Sequence, residues 1–137
     1  MSFTEAEIDY LVAQRLGRIA TVAADGTPQV RPTSFHYNAE LGTIDVGGLR
    51  MADTQKFRNV QAGSRASLVV DDMISWDPPQ ARGIEIRGDA EVLTGQEPYI
   101  PAFTGDIIRI HPRRIISWGL GEMDPRQPQA RDIPAKA

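Results

Sequence analysis

GRIATVAADGTPQVRPTSFHY, Gly17 to Tyr37, is the stretch whose reading decides the fold. Gly17 to Ala24 is short, apolar and rich in β-branched residues, and it reads as a strand. Asp25-Gly26 is a hairpin-turn dipeptide. Gln29 to Tyr37 then reads as the returning strand. Pro32 lies inside it and has no N–H to donate. That point is therefore a sheet edge, a bulge or a place without a ladder donor. Asn38 to Gly42 turns again, and Thr43 to Val46 is a third strand closed by Gly47-Gly48.

Three more strands are expected downstream. Ala66 to Asp71 is a continuous apolar run, expected to be buried on both faces. Arg82 to Leu93 alternates, with Ile84, Ile86, Ala90 and Val92 on one face and a bend at Gly88. Asp106 to Trp118 is the last strand, broken at Pro112. Ser75 to Ala81 and Gly95 to Thr104 read as Pro-containing loops. Phe3 to Gln14 reads as an amphipathic helix, with Thr4 and Glu7 at capping-box spacing and Ile8, Leu11 and Val12 on its inner side. Asp53 to Ala62 is a second helix, fixed on the sheet by Phe57 and Val60. Glu122 to Ala137 carries three prolines and few apolar residues; it is expected as a tail, either disordered or laid on a partner. Six short strands with one internal helix point to a mainly β, antiparallel barrel and away from a doubly wound sheet. The 137 residues are a one-domain length, with residues 1–16 as an N-terminal helix and 122–137 as the tail.

Composition removes several function classes. There is no cysteine, hence no disulfide framework, thiolate nucleophile or Cys-based metal site. The formal charge of −3 argues against a nucleic-acid binder. The acidic start MSFTEAEID lacks the features of a signal peptide, and no apolar run approaches the ~20 residues of a membrane span, so a cytoplasmic protein is expected. No GxSxG elbow, GxGxxG or Walker pattern occurs. The two histidines, His36 and His111, have no metal-ligand spacing; His36 reads as a core or interface residue. Asp71 and Asp72 are adjacent on a strand and so point to opposite faces, which excludes a working carboxylate pair.

One residue stands out against this background. Lys56 is one of two lysines beside thirteen arginines. With Asp53 or Thr54 as the cap, it falls in the first turn of the second helix, where a bare cation is disfavoured. A bound anion reverses that sign, so Lys56 points to a phosphate site. Gly47 and Gly48 precede it at a strand end, where glycine permits a flat ligand or another backbone to approach, or serves as a plain turn. Arg50 and Arg58 lie in the same segment; Arg58 reaches the same anion or pairs with Asp71 or Asp72.

The segments RIATVAADGTPQVRPTSFHYN, TIDVGG, ADTQKFRNVQAGSRASLVVDD, RGIEIRGDAEVL and IRIHPRRIISWGL, in that order and spacing, resemble the pyridoxamine-5′-phosphate-oxidase-like flavoproteins. They are most similar to the actinobacterial branch that uses the deazaflavin coenzyme F420, over about residues 17 to 120. The resemblance implies a six-stranded split β-barrel homodimer in which the second subunit closes each site. It places the family's phosphate-binding lysine on Lys56. The basic residue found two positions earlier in many members is Thr54 here, so Arg50 or Arg58 would have to substitute. It sets Gly47 and Gly48 beside the ribityl phosphate, and Arg31, Pro32, Thr33 and Ser34 near the ring or its side chain. Trp76 and Arg82 to Arg87 are candidates for the partner-facing wall, Trp76 alternatively covering the barrel end. The implied activity is hydride transfer between F420 and a small unsaturated or aromatic substrate, with no catalytic side chain because the cofactor carries the chemistry. Alternatives are an FMN-dependent oxidase or reductase, and a flavin- or haem-binding carrier or sensor that does no chemistry.

Overall fold

The computed structural model describes residues 2–122 and 127–135. Two helices, α1 (Glu5–Ala13) and α2 (Gln55–Gln61), accompany eight strands: β1 (Gly17–Val22), β2 (Pro28–Thr33), β3 (His36–Asn38), β4 (Thr43–Val46), β5 (Ala66–Trp76), β6 (Pro79–Leu93), β7 (Ile107–Trp118) and β8 (Gln129–Asp132). All pairings are antiparallel, in the order β2-β1-β5-β6-β7-β4-β3. The sheet does not close into a ring, so β2 and β3 are its ends. Strand β7 carries β4 on its first half (Ile108–Ile110) and β8 on its second (Arg114–Ser117).

The mainly β antiparallel expectation holds; the strand count and several boundaries change. The second strand splits at Ser34-Phe35 into β2 and β3, which sit at opposite ends of the sheet. Pro32 is tolerated because β2 is an edge, with only β1 beside it. The Ser75–Ala81 loop is instead the tip of the β5–β6 hairpin: Trp76 pairs with Pro79, and Ile74 is an extra residue that bulges β5. Strand β5 is not buried on both faces. Ala66, Leu68 and Val70 are buried, while Ser67 and Val69 are half-buried.

The core is the inner face of this sheet: Ile44, Val46, Leu68, Val70, Ile84, Ile86, Ile108, Ile110 and Ile115 are all fully buried. Phe57 and Val60 seat α2 on it, and Ala90 and Val92 pack against its margin. The expected bend at Gly88 is a bulge: β6 shifts register between Arg87 and Gly88, leaving Arg113 of β7 unmatched beside Pro112. A Cβ on Gly88 would lie 2.1 Å from the His111 carbonyl oxygen. That contact is with backbone and cannot be relieved by a rotamer. Gly88→Ala should therefore cost about 3 kcal/mol or more, read as a fall in urea midpoint at unchanged m-value.

Helix α1 has the capping box: Thr4 Oγ1 accepts from the Glu7 N–H (3.2 Å), and Glu7 Oε1 accepts from the Thr4 N–H (2.9 Å). Its inner side differs from the expected one. Val12 is exposed, and Glu7 is buried alongside Tyr10 and Leu11. Glu7 also accepts from Ser117 Oγ (2.7 Å) and from Arg131 Nη1 (3.1 Å) and Nη2. Arg131 belongs to β8, in the segment expected as a tail. Residues 129–132 are an edge strand on β7, tied by that ion pair to the first helix. Periodicity misses this because the strand holds only four residues and its anchor is a charge.

Candidate functional site

A cavity of about 680 Å³ lies between the β1–β2 ladder and the start of α2. Its walls are Ile19 and Thr21 of β1, Gln29 to Pro32 of β2, and Thr54, Gln55 and Lys56. Register explains the grouping. Ile19 stands opposite Arg31 and Thr21 opposite Gln29, so these four share one face of the ladder. Thr54 caps α2, its Oγ1 accepting from the Phe57 N–H (3.3 Å), and this sets Lys56 in the first turn facing β2.

The electrostatics are unusual for this chain. Arginines 18, 50, 65, 82, 87, 109, 113, 114 and 131 are each paired with a carboxylate. Lys56 and Arg31, like the exposed Arg15 and Arg58, have no carboxylate partner among the described residues; unlike those two, they share one cavity and repel each other. Burial, and then the Arg31 charge, hold the Lys56 amine below its ordinary value of 10.5. Two like charges kept together in a cavity, one of them half-buried, are an arrangement that an anion would stabilise.

Of the residues singled out from sequence, the cavity brings together Arg31, Pro32, Thr54 and Lys56. Arg50 lies outside it and pairs with Asp53 (3.1 Å) at the surface. Arg58 also lies outside: it donates to the Asp53 carbonyl (3.0 Å) and Gln55 Oε1 (3.0 Å), not to Asp71 or Asp72. Those two carboxylates do face apart, Asp71 toward Arg18, and Asp72 toward Tyr10 and Arg82.

Gly47 and Gly48 are approached from the protein's own 94–106 loop. The Gly47 N–H donates to the Tyr99 hydroxyl (2.8 Å), and a Cβ there would stand 3.1 Å from the Tyr99 ring and 3.2 Å from that of Phe103. Tyr99 also bonds Ser34 Oγ (2.9 Å), and burial pushes its phenol up. Thr33 is buried and its hydroxyl donates to the Ser34 carbonyl (2.9 Å). Trp76, at the hairpin tip, is 78% exposed, so among the described residues it does not cover the end of the sheet. His36 is exposed and stacked on Tyr99, not a core residue.

Sequence reading missed Thr21, Gln29, Gln55 and Asn59. A signal was present: Gln29 lies two residues from Arg31 on a strand and so shares its face, and Gln55 and Asn59 are four apart on a helix.

A second cavity, of about 460 Å³, is lined by His36, Asn38, Asp45, Tyr99 and Arg109 among others. Its buried carboxylate, Asp45, is already satisfied. Asp45 accepts from Arg109 Nε (2.9 Å) and Nη2 (3.1 Å) and from Asn38 and Thr43; these bonds outweigh burial and hold its carboxyl below the ordinary range. The first cavity, with its cations uncompensated, is the stronger candidate.

The chain is 44% identical, over 99% of its length and 96% of the relative's, to a 5a,11a-dehydrotetracycline/5a,11a-dehydrooxytetracycline reductase of Streptomyces rimosus. Among solved structures it is similar to a conserved hypothetical protein of Mycobacterium tuberculosis, with TM-score 0.66 and 24% identity over 87% of this chain and 86% of that one. It is also similar to an FAD-binding protein of Mesorhizobium loti, with TM-score 0.60 and 19% identity over 84% and 93%. At these identities the two structures speak to the fold alone. Residues 3–131 match the pyridoxamine 5′-phosphate oxidase family, which is nearly the whole chain and includes every wall of the cavity. The chain belongs to the pyridoxamine 5′-phosphate oxidase family.

Proposed function

We propose that this chain is a cytoplasmic oxidoreductase that binds a phosphorylated flavin-type cofactor, coenzyme F420, in the β1–β2–α2 cavity and reduces an unsaturated or aromatic organic substrate. The observation that carries this reading is the pair of uncompensated cations, Lys56 and Arg31, at the cavity wall. The donor set fits the cofactor class: a cavity of about 680 Å³ is large enough for a ring and side chain, and its cations suit a phosphate. The reductase relative, whose named substrates are dehydrotetracyclines, supports an unsaturated polycyclic substrate.

When bound and reduced, a deazaflavin supplies the hydride; the second hydrogen of the product arrives as a proton from solvent. This chain's residues do the rest. Lys56 and Arg31 neutralise the phosphate, while Ile19, Val30 and Pro32 give the cavity apolar surface. The edge strand β2 and the exposed tip Ile74–Trp76 are where a second copy would close the site, making the working form a homodimer.

The test is a fluorescence titration with F420 and FMN in parallel, followed by turnover of enones, quinones and nitroaromatics with the reduced form. Low-micromolar F420 binding with weak FMN binding and turnover is the expected outcome. Tight FMN binding with weak F420 binding moves the protein to flavin oxidase or reductase chemistry. Binding without turnover of any acceptor makes it a carrier.

A further inference from the structure

Behind the cavity wall lies a chain of side-chain hydrogen bonds with a fixed direction. Arg58 Nη2 donates to Gln55 Oε1 (3.0 Å), Gln55 Nε2 donates to Asn59 Oδ1 (2.8 Å), and Asn59 Nδ2 donates to both Gln29 Oε1 (2.7 Å) and Thr21 Oγ1 (3.0 Å). Amide oxygen and nitrogen have nearly the same shape, so their assignment must come from the network. Here it follows from one end. A guanidinium can only donate, so the Gln55 atom facing Arg58 is its oxygen. Its other end is then a donor, which makes the facing atom of Asn59 an oxygen. Asn59 thus spends both N–H groups on Gln29 and Thr21. It is buried, so reversing it would set its N–H₂ against that of Gln55, donor against donor, where water could not intervene.

Gln29 and Thr21 both line the cavity, and in both the side-chain oxygen accepts from Asn59. The Gln29 amide N–H₂ and the Thr21 O–H have no acceptor among the described residues. We infer that the Arg58–Gln55–Asn59 relay sets Gln29 and Thr21 as hydrogen-bond donors into the cavity, so that this wall recognises an acceptor oxygen of the ligand, and that Arg58 is a positioning residue. The ligand part rests on the functional reading above. The acceptor oxygen belongs either to the phosphate or to a ring carbonyl.

The relay is tested first in the free protein, by NMR hydrogen exchange of side-chain amides. The Asn59 N–H₂ pair should be protected, and that of Gln29 should exchange freely. A protected Gln29 pair beside an unprotected Asn59 pair overturns the relay, whatever the protein binds.

The ligand part is tested with F420, and with a phosphate-free deazariboflavin as the second probe. Gln29→Glu keeps the oxygen that accepts from Asn59 and replaces the donor by a second acceptor; Gln29→Met removes the donor without adding a charge. Both should weaken F420 binding by about tenfold or more. A loss shared by the phosphate-free probe places the oxygen on the ring, and a loss confined to F420 in both variants places it on the phosphate. Unchanged or tighter binding of both probes overturns the assignment.

Arg58→Met should weaken F420 binding several-fold in the wild-type background, with Arg58→Lys recovering part of the loss. In the Gln29→Glu background it should add a smaller loss, because only the Thr21 donor is left to orient. Equal losses in both backgrounds would make Arg58 merely structural. A wild-type protein that binds neither F420 nor FMN refutes the functional reading and the ligand part together, and leaves amide exchange to decide the relay.

Discussion

Lys56→Ala is expected to raise the cofactor dissociation constant well above tenfold while leaving the free protein at least as stable as before. The two halves of this result have one cause. A charged hydrogen bond to a phosphate is worth about 1.5–3 kcal/mol, so its loss exceeds the 1.4 kcal/mol that corresponds to tenfold in affinity. In the free protein the same amine is half-buried, has no carboxylate partner among the described residues and is repelled by Arg31. Removing it relieves that repulsion and leaves no partner stranded. A lysine kept for stability would give the opposite pattern, a lowered urea midpoint with unchanged affinity, and an unchanged dissociation constant alone would end the assignment. Binding should also weaken with rising pH before an ordinary lysine would lose its proton. The folded amine is held below 10.5, so the charge on which the anion depends is complete at lower pH and lost as pH climbs through that lowered value.

Arg131→Ala is the largest effect expected on stability. The Glu7 side chain is 1% exposed and that of Arg131 is 30%. Truncating the arginine leaves a carboxylate in the interior with only Ser117 and the Thr4 N–H as donors. Breaking a fully buried pair costs about 3–5 kcal/mol; the partial exposure of Arg131 brings the expectation to about 2–3 kcal/mol, read as a lowered urea midpoint.

The pH dependence identifies the cause. Burial by itself would raise the Glu7 pKa, but Arg131, Ser117 and Thr4 outweigh it and hold the group below 4.5. In the wild type this pair therefore contributes stability above the ordinary carboxylate range that is lost as pH falls through the lowered native value. The penalty of Arg131→Ala should be greatest near neutral pH and shrink as pH falls through the ordinary carboxylate range, because Glu7, no longer held down by Arg131, takes up a proton more readily in the variant. Adding Glu7→Gln should recover part of it, since Gln also serves in a capping box and carries no charge to bury. A penalty that is the same at pH 4 and pH 7 would show that the ion pair is not its source.

The sequence by itself determined what depends on neighbours in the chain. The β1–β2 hairpin follows from Asp25-Gly26, the α1 cap from Thr4 and Glu7, and the bend at Gly88 from a glycine in an alternating strand. Each is a short-range steric or hydrogen-bonding preference and can be read from a few residues. Lys56 was legible as a candidate because a lone cation at a helix start has little local reason to be there.

Tertiary structure decided what depends on pairing at a distance. It split Gln29–Tyr37 between the two ends of the sheet and placed Arg31 against Lys56. It enlisted Arg50 at the surface and Arg58 behind the cavity wall, and turned the apparent tail into a strand anchored on Glu7. Composition cannot say which arginine meets a carboxylate and which is left facing another cation. That is a question of distance and burial, settled only when β1, β2 and α2 pack together.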